Sequence, residues 1–179
     1  MATKNSKFDF KLFTEKALAE TASGWSDDAA NGLAFQPDVD QTISWAESHS
    51  ALNENGVAYG VFRIGEPIAL GICELVITKR SRSSKWVKML RLKLRPKTEQ
   101  GIYANDPAAL QEAYDAYSTC IVGVFHVKNQ HQADTMKVYG RTHQQMQFLN
   151  GLALHLKANR SATFKTNIEG RWLVLTWDK

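Results

Sequence analysis

The amino-acid sequence predicts a mixed α/β fold in which a mostly antiparallel sheet is flanked by helices, and three observations carry that expectation. Helical spacing dominates the first third of the chain. The apolar period changes to that of strands between Val57 and Arg95. A long run of 3–4 spacing then begins at Pro107, and short strand-like segments close the chain. The length of 179 residues predicts one domain, since two would each be too small to bury a good core. Hydrophobic residues at 44% and charged residues at 22% are ordinary globular values, which argues against disorder, a collagen-like repeat or a coiled coil.

Thr14–Ala22 (TEKALAETA) is rich in helix formers, with Thr14 as its N-cap and Gly24 as its expected stop. Asp40–Leu52 carries a weaker helical stripe through Ile43, Ala46 and the Trp45–His49 pair, closed by Asn55-Gly56. Val57–Ile64, the turn Gly65-Glu66-Pro67 and Ile68–Thr78 read as strand, turn and strand, with Gly60 and Gly71 marking bulges or close backbone approaches. The Ser- and Arg-rich Lys79–Lys85 is expected to be a flexible reversal. In Trp86–Arg95, Leu90, Leu92 and Leu94 alternate with Arg91, Lys93 and Arg95, which predicts one core face and one basic face. Pro96 cannot donate to a ladder and ends that strand.

Asp106-Pro107 is a helix entry, and the spacing of Leu110, Ala113, Tyr114, Tyr117, Ile121, Val124 and Phe125 predicts one long helix to about Val127. An alternative stays open, in which the helix ends at Cys120 and the β-branched Ile121–Val127 is a strand. Thr135–Arg141 reads as a strand and Thr142–Asn150 as a short helix stopped by Gly151. Leu152–Leu156 with Thr163–Thr166 is expected to form a strand, and Arg171–Trp177, after Glu169-Gly170, the last one.

Several function classes are disfavoured at once. The apolar stretches, such as Pro67–Cys73 and Ile121–Phe125, fall far short of the about 18 residues that a membrane helix needs, so no membrane partner is expected. Met1–Asn5 and the residues after them offer no apolar signal region, which makes the cytoplasm the default address. Cys73 and Cys120 are too few for a disulfide framework and read as reduced, buried thiols. His126 and His131 would point about 140° apart on a helix, so no metal is expected. Charge is the more informative signal. Lys79–Lys97 holds nine basic residues and no acid, while the remainder has 13 basic and 18 acidic residues, a net −5. One polarised face of this kind suits a polyanion or an acidic protein, and it equally suits a strand edge guarded by lysines against aggregation.

Two segments carry a resemblance to a known family. The first is Leu90–Ala104 (LRLKLRPKTEQGIYA), a strand running through Pro96 into a Gln- and Gly-containing loop. The second is Tyr139–Leu154 (YGRTHQQMQFLNGLAL), with Arg141, Gln144, Phe148 and Leu152 at the family's motif positions and Gly151 one residue early. Over Val57–Trp177 the chain resembles the GNAT superfamily of acyl-CoA N-acyltransferases. The resemblance implies a GNAT-like single domain over residues 1–179. It also implies that Gln100, Gly101, Ile102, Tyr103 and Ala104 hold the cofactor diphosphate through backbone amides at a helix N-terminus. The chain departs from the pattern at Glu99, where an arginine is usual, at the missing second glycine, and at Arg141 and Phe148, which replace Asn and Tyr. A similar erosion marks the small GNAT-like proteins of short-tailed phages, which the chain also resembles.

Acetyl-CoA or another acyl-CoA is the implied cofactor. A backbone N–H in Arg91–Leu94, near Leu92 and Leu94, would polarise the thioester, with Arg141 and Phe148 at further cofactor positions. Glu74, an acid in the apolar run ICELV, is the candidate base, or else an exposed residue on an alternating strand. Tyr139 and His143 are the candidate proton donors, or else structural. Tyr103 either stacks on the adenine or packs on the core. The acceptor is expected to be an amine of a protein, a small molecule or tRNA, because GNAT-type toxins that acylate charged tRNA are similar in size and basicity. Against tRNA, the basic stretch lacks the interleaved exposed aromatics that base stacking would favour, Trp86 excepted, while Trp25 and Trp45 are read as a surface for a partner. The other reading is a GNAT-like interaction module without chemistry, a phage-encoded modulator of a host enzyme that meets an acidic protein. The oligomeric state is not encoded in any of these features.

Overall fold

The computed structural model describes residues 7–50, 56–81, 84–158 and 163–177. Among them the elements are β1 (Phe8–Leu12), α1 (Glu15–Ala30), α2 (Gln36–Ser48), β2 (Val57–Arg63), β3 (Ala69–Ser81), β4 (Ser84–Leu94), α3 (Pro96–Tyr103), α4 (Pro107–Gln130), β5 (Thr135–Tyr139), α5 (His143–Ala158), β6 (Phe164–Glu169) and β7 (Trp172–Trp177). The strands form one sheet in the order β1-β2-β3-β4-β5-β7-β6. Pairing is antiparallel for β1–β2, β5–β7 and β6–β7 and parallel for β4–β5. The connections 64–68 and 82–83 are too short for a parallel crossover, so β2–β3 and β3–β4 are hairpins. The expected α/β class with a mostly antiparallel sheet and flanking helices is therefore what the chain forms.

Contacts divide the chain into two compact units, Met1–Glu74 with Leu92–Gly123 and Leu75–Arg91 with Val124–Lys179, and β3, β4 and α4 pass through both. In the first unit, Leu18, Trp25, Ala29, Val39, Ile43 and Ala46 of α1 and α2 bury against Ala58, Phe62, Ala69 and Ile72 of the sheet. Trp25 is wholly buried and its Nε1 donates to the Ala69 carbonyl at 2.9 Å, so it is a core residue and not the surface residue expected. Trp45 is half-buried and stacks on His49. In the second unit the core comes from Val87, Met89, Met136, Val138, Leu173 and Leu175.

Several expectations are corrected. The five-residue β1 has no counterpart in the sequence reading, because its burial comes from pairing with β2 and its own pattern is short. Thr14 does cap α1, accepting from Ala17 N–H at 3.2 Å, but Gly24 does not stop it. Gly24 lies inside the helix, and its missing side chain serves packing, since a Cβ there would sit 2.7 Å from Ile68 Cδ1. The second helix begins four residues early, at Gln36, and Leu52 and Asn55 lie outside the described residues. Strands β3 and β4 run into the segment expected to be a reversal, leaving only Arg82 and Ser83, which also lie outside the described residues.

The alternation in β4 places the core differently as well. Val87 and Met89 are the fully buried positions, so the parity expected to be basic is the buried one at this end of the strand. Leu90, Leu92 and Leu94 are only half-buried. The long helix forms without interruption as α4, which resolves the open alternative at Ile121–Val127 in favour of helix. Residue Gly151 does not stop α5. It is exposed with nothing within 4 Å of its notional Cβ, and the helix runs on through Leu152–Leu156, the segment expected to be a strand.

Candidate functional site

The candidate residues are distributed over both units and are described unit by unit. In the first, Glu74 is half-buried on β3, on the face opposite the fully buried Cys73 and Leu75 and shared with the buried Ile72. Leu92 and Leu94 lie near the end of β4, where Gly71 of β3 allows close approach: a Cβ there would be 2.8 Å from Leu92 Cδ1. The register that joins β4 to β5 runs from Trp86↔Thr135 to Met89↔Val138, while β4 itself continues to Leu94. Its β5-side backbone edge over Leu90–Leu94 is thus not part of the β5 ladder.

The expected diphosphate loop is not a loop. Gln100, Gly101, Ile102 and Tyr103 belong to the helix α3, and Ala104 is its C-cap. Pro96 at the first helical position has no N–H to offer. Lys97 N–H donates to Asp28 Oδ2 at 3.3 Å, and the Thr98 and Glu99 amides donate to the Arg95 carbonyl at 2.9 and 3.0 Å. The first-turn amides that would bind an anion are therefore already engaged. Asp28 also accepts from Arg95 Nε at 2.7 Å and Nη2 at 3.0 Å. A carboxylate of the chain itself thus occupies the position of the expected anion.

The next helix repeats the arrangement, since Asp106 Oδ1 caps α4 by accepting Ala108 N–H at 2.9 Å. Gly101 has a packing reason to be glycine: a Cβ would lie 2.6 Å from Ala109 Cβ of α4. Glu99, which stands where an arginine is usual in the family it resembles, forms a 2.6 Å ion pair with Lys93. Tyr103 is 79% exposed, which removes its core-packing reading. A cleft of about 260 Å³ lies beside α3, where Glu112 bonds Arg63 and accepts from Thr98 at 3.1 Å. The hydrogen bond with Glu112 raises the Arg63 pKa further above its ordinary value, against the opposing effect of burial.

In the second unit, Tyr139 ends β5 and packs on Trp172 with ring centroids 4.8 Å apart, while Arg171 lies 5.7 Å over the Tyr139 ring. His143 opens α5, exposed, with its Nε2 3.1 Å from Gln147 Nε2. Thr142 Oγ1 accepts Gln145 N–H at 3.2 Å, and Gln145 Oε1 accepts the Arg141 and Thr142 amides at 2.7 and 3.2 Å. This reciprocal capping satisfies the start of α5 from within. Arg141 is exposed, its carbonyl bonded by Arg171, and Phe148 is half-buried on α5.

The acyl-CoA implied by the resemblance therefore fits in part. The edge of β4 beyond its β5 ladder suits a thioester and its amide-bearing arm, whereas α3 does not suit the diphosphate. Sequence reasoning missed Asp28 and Arg95, which are 67 residues apart. Nothing local in the sequence joins them, although Arg95 beside Pro96 at the predicted strand end was a place to look for a buried counter-charge.

Among the described residues no group of three or more His, Cys, Asp or Glu side chains is placed to hold a metal, and no helix is long and apolar enough to cross a membrane. Both cysteines are buried free thiols. Burial, and then the neighbouring Cys73 thiol, pushes the Cys120 pKa well up.

No protein-family model matches the chain, and no curated protein matches it. Solved structures do. An acetyltransferase of the GNAT family from Staphylococcus aureus Mu50 is 8% identical, with 96% of this chain and 99% of that one covered and a TM-score of 0.49. A chain of the NatC complex bound to Gag peptide and CoA is 11% identical, with 96% and 99% covered and a TM-score of 0.48. An acetyltransferase from Thermus thermophilus is 12% identical, with 94% and 96% covered and a TM-score of 0.43. Similarities of this size carry no chemistry to this chain, and the residues above must supply it.

Proposed function

We propose that the chain is an acyl-CoA-dependent N-acyltransferase. The observation that supports this reading best is the edge of β4 beyond its β5 ladder, where the strand continues to Leu94 after its parallel register with β5 ends at Met89 and Val138. Acyl-CoA supplies the acyl group as an activated thioester. A backbone N–H of Arg91–Leu94 polarises the carbonyl as negative charge develops on its oxygen. Glu74 takes the proton of the attacking amine, and Tyr139 or His143 returns a proton to the departing sulfur. Leu92 and Leu94 flank the acyl arm, with Arg141, which precedes α5, and Phe148, within it, as further candidate cofactor contacts. The acceptor is an amine on a protein, a small molecule or a tRNA. In this reading the diphosphate is held elsewhere than at Gln100–Ala104.

The test is isothermal titration with acetyl-CoA at low and high salt. Micromolar binding supports the reading, and the absence of heat at millimolar ligand refutes it.

A specific observation favours a second reading, that of an interaction module without acyl transfer. Asp28 and Asp106 fill the anion positions of both α3 and α4, so the helix ends that would grip a diphosphate are internally satisfied. The same titration separates the two readings, because a module of this kind binds no acetyl-CoA.

A further inference from the structure

Charge is divided between the two units more sharply than the basic segment alone suggests. Leu75–Arg91 with Val124–Lys179 holds 14 Lys and Arg against 3 Asp and Glu, a net +11, whereas the other unit holds 8 against 15, a net −7. A unit so basic draws polyanions by its field alone.

Its sheet also has a face organised to receive one. The registers align Trp86 of β4, Thr135 of β5, Thr176 of β7 and Lys165 of β6 in one row, and Lys88, Lys137, Val174 and Asn167 in the next. Residues of the opposite parity, including Val87, Met136 and Leu175, form the core, so both rows face away from it. An open trough of about 530 Å³ lies over part of these rows, with Trp86 and Lys137 on its walls, and Lys88 and Lys165 stand outside its lining. Thr135 and Val174 are its buried floor. The Lys137 and Lys88 ammonium groups lie over the Trp86 ring, 4.3 and 5.2 Å from its centroid, so a base that stacks on an occupied face must take the place of an ammonium.

We infer that this face of the basic unit binds single-stranded nucleic acid, with a base stacked on Trp86 and phosphates on Lys88, Lys137 and Lys165. An indole beside several lysines meets both requirements of such a ligand, a π-face for bases and cations for the backbone. A duplex, whose bases are already stacked, gains only the second. Two acids also lie at the trough. Asp134 accepts from Ser84 and Thr135, and Glu169 pairs with Lys137 at 3.2 Å, so a phosphate must displace Glu169. The site does not depend on acyl transfer.

Fluorescence anisotropy of a labelled 12-nucleotide oligo-uridine with the full chain tests the inference. Three to four phosphate contacts weaken single-strand binding by about 20- to 50-fold between 50 and 200 mM salt. Trp86→Ala is expected to lose about 5-fold or more in affinity and Trp86→Phe to keep most of it. Lys137→Gln is expected to flatten the salt slope, and Glu169→Gln to tighten binding. Circular dichroism melting confirms that each variant folds. Absence of binding at 50 mM salt overturns the inference. So does equal binding of a duplex of matched charge with no effect of Trp86→Ala in a folded variant, which would leave only unspecific polyanion attraction. Acetyl-CoA titration is read separately, so failure of either reading leaves the other intact.

Discussion

Replacing Asp28 by alanine perturbs the junction that decides whether α3 can bind an anion. Asp28 is 7% exposed and accepts three hydrogen bonds, two from the Arg95 guanidinium and one from Lys97 N–H. Removing one partner of a buried ion pair leaves the other charge uncompensated, which costs about 3–5 kcal/mol. The Arg95 side chain retains 23% exposure, so water recovers part of that cost and the lower end, about 3 kcal/mol, applies. For a chain of this size such a loss lowers the melting temperature by about 6–12 °C. The neighbouring exposed Asp27→Ala is the control and is expected to change stability by less than about 0.5 kcal/mol. Calorimetry or thermal circular dichroism reads both. Asp28→Ala also frees Arg95 and an α3 amide, so millimolar pyrophosphate is expected to raise the melting temperature of this variant and not that of the wild type. An Asp28→Ala protein as stable as the wild type, or a wild type stabilised equally by pyrophosphate, would refute the assignment of this carboxylate as the occupant of the anion position.

Other expectations rest on the same packing and electrostatics. The Cys120 thiol keeps its proton in the folded chain well above the pH at which an unfolded thiol loses it, about 8.5. The folded state then binds more protons, so stability is full below that pH and falls as pH rises above it, by up to about 1.4 kcal/mol per pH unit. Burial shifts Tyr117 in the same direction, adding to the alkaline loss; melting temperatures measured from pH 7 to pH 10.5 check the slope, and a flat profile contradicts it. Neither buried cysteine should react with Ellman's reagent until the chain is unfolded. Gly123→Ala drives a Cβ to 2.1 Å from the Phe10 ring and is expected to cost about 1–3 kcal/mol. Gly151→Ala, on the open surface of α5, is expected to gain about 0.8–1 kcal/mol. The two melts should therefore move in opposite directions.

What the sequence revealed and what it hid have separate physical causes. Periodic segments were legible: the change of period at Val57, the Asp106-Pro107 entry of α4 and the strand before Pro96 are local patterns, and each formed, although β4 buries Val87 and Met89 rather than the leucine parity. Glycine was the commonest source of error. Gly24, Gly101 and Gly151 were read as a stop, a phosphate contact and a stop. The first two are glycine because Ile68 and Ala109 come too close for a Cβ, and the third meets nothing. Close approach between distant segments leaves no local signature. The candidate site suffered from the same blindness, because a Gln-Gly segment looks alike as a loop and as the last turn of a short helix. The deciding carboxylate, Asp28, comes from a different helix. The basic character of Lys79–Lys97 was legible, but its division was not: Lys93 and Arg95 belong to the acidic unit and are paired with Glu99 and Asp28, while Lys85 and Lys88 belong to the basic one.

Backbone hydrogen exchange with and without acetyl-CoA tests the acyl-transfer proposal most directly, because its central group is a backbone amide rather than a side chain. The account predicts that saturating acetyl-CoA slows exchange within Leu90–Leu94 of β4 and leaves the first turn of α3, already bonded to Asp28 and Arg95, unchanged. Unaltered exchange over Leu90–Leu94 at millimolar acetyl-CoA would contradict it.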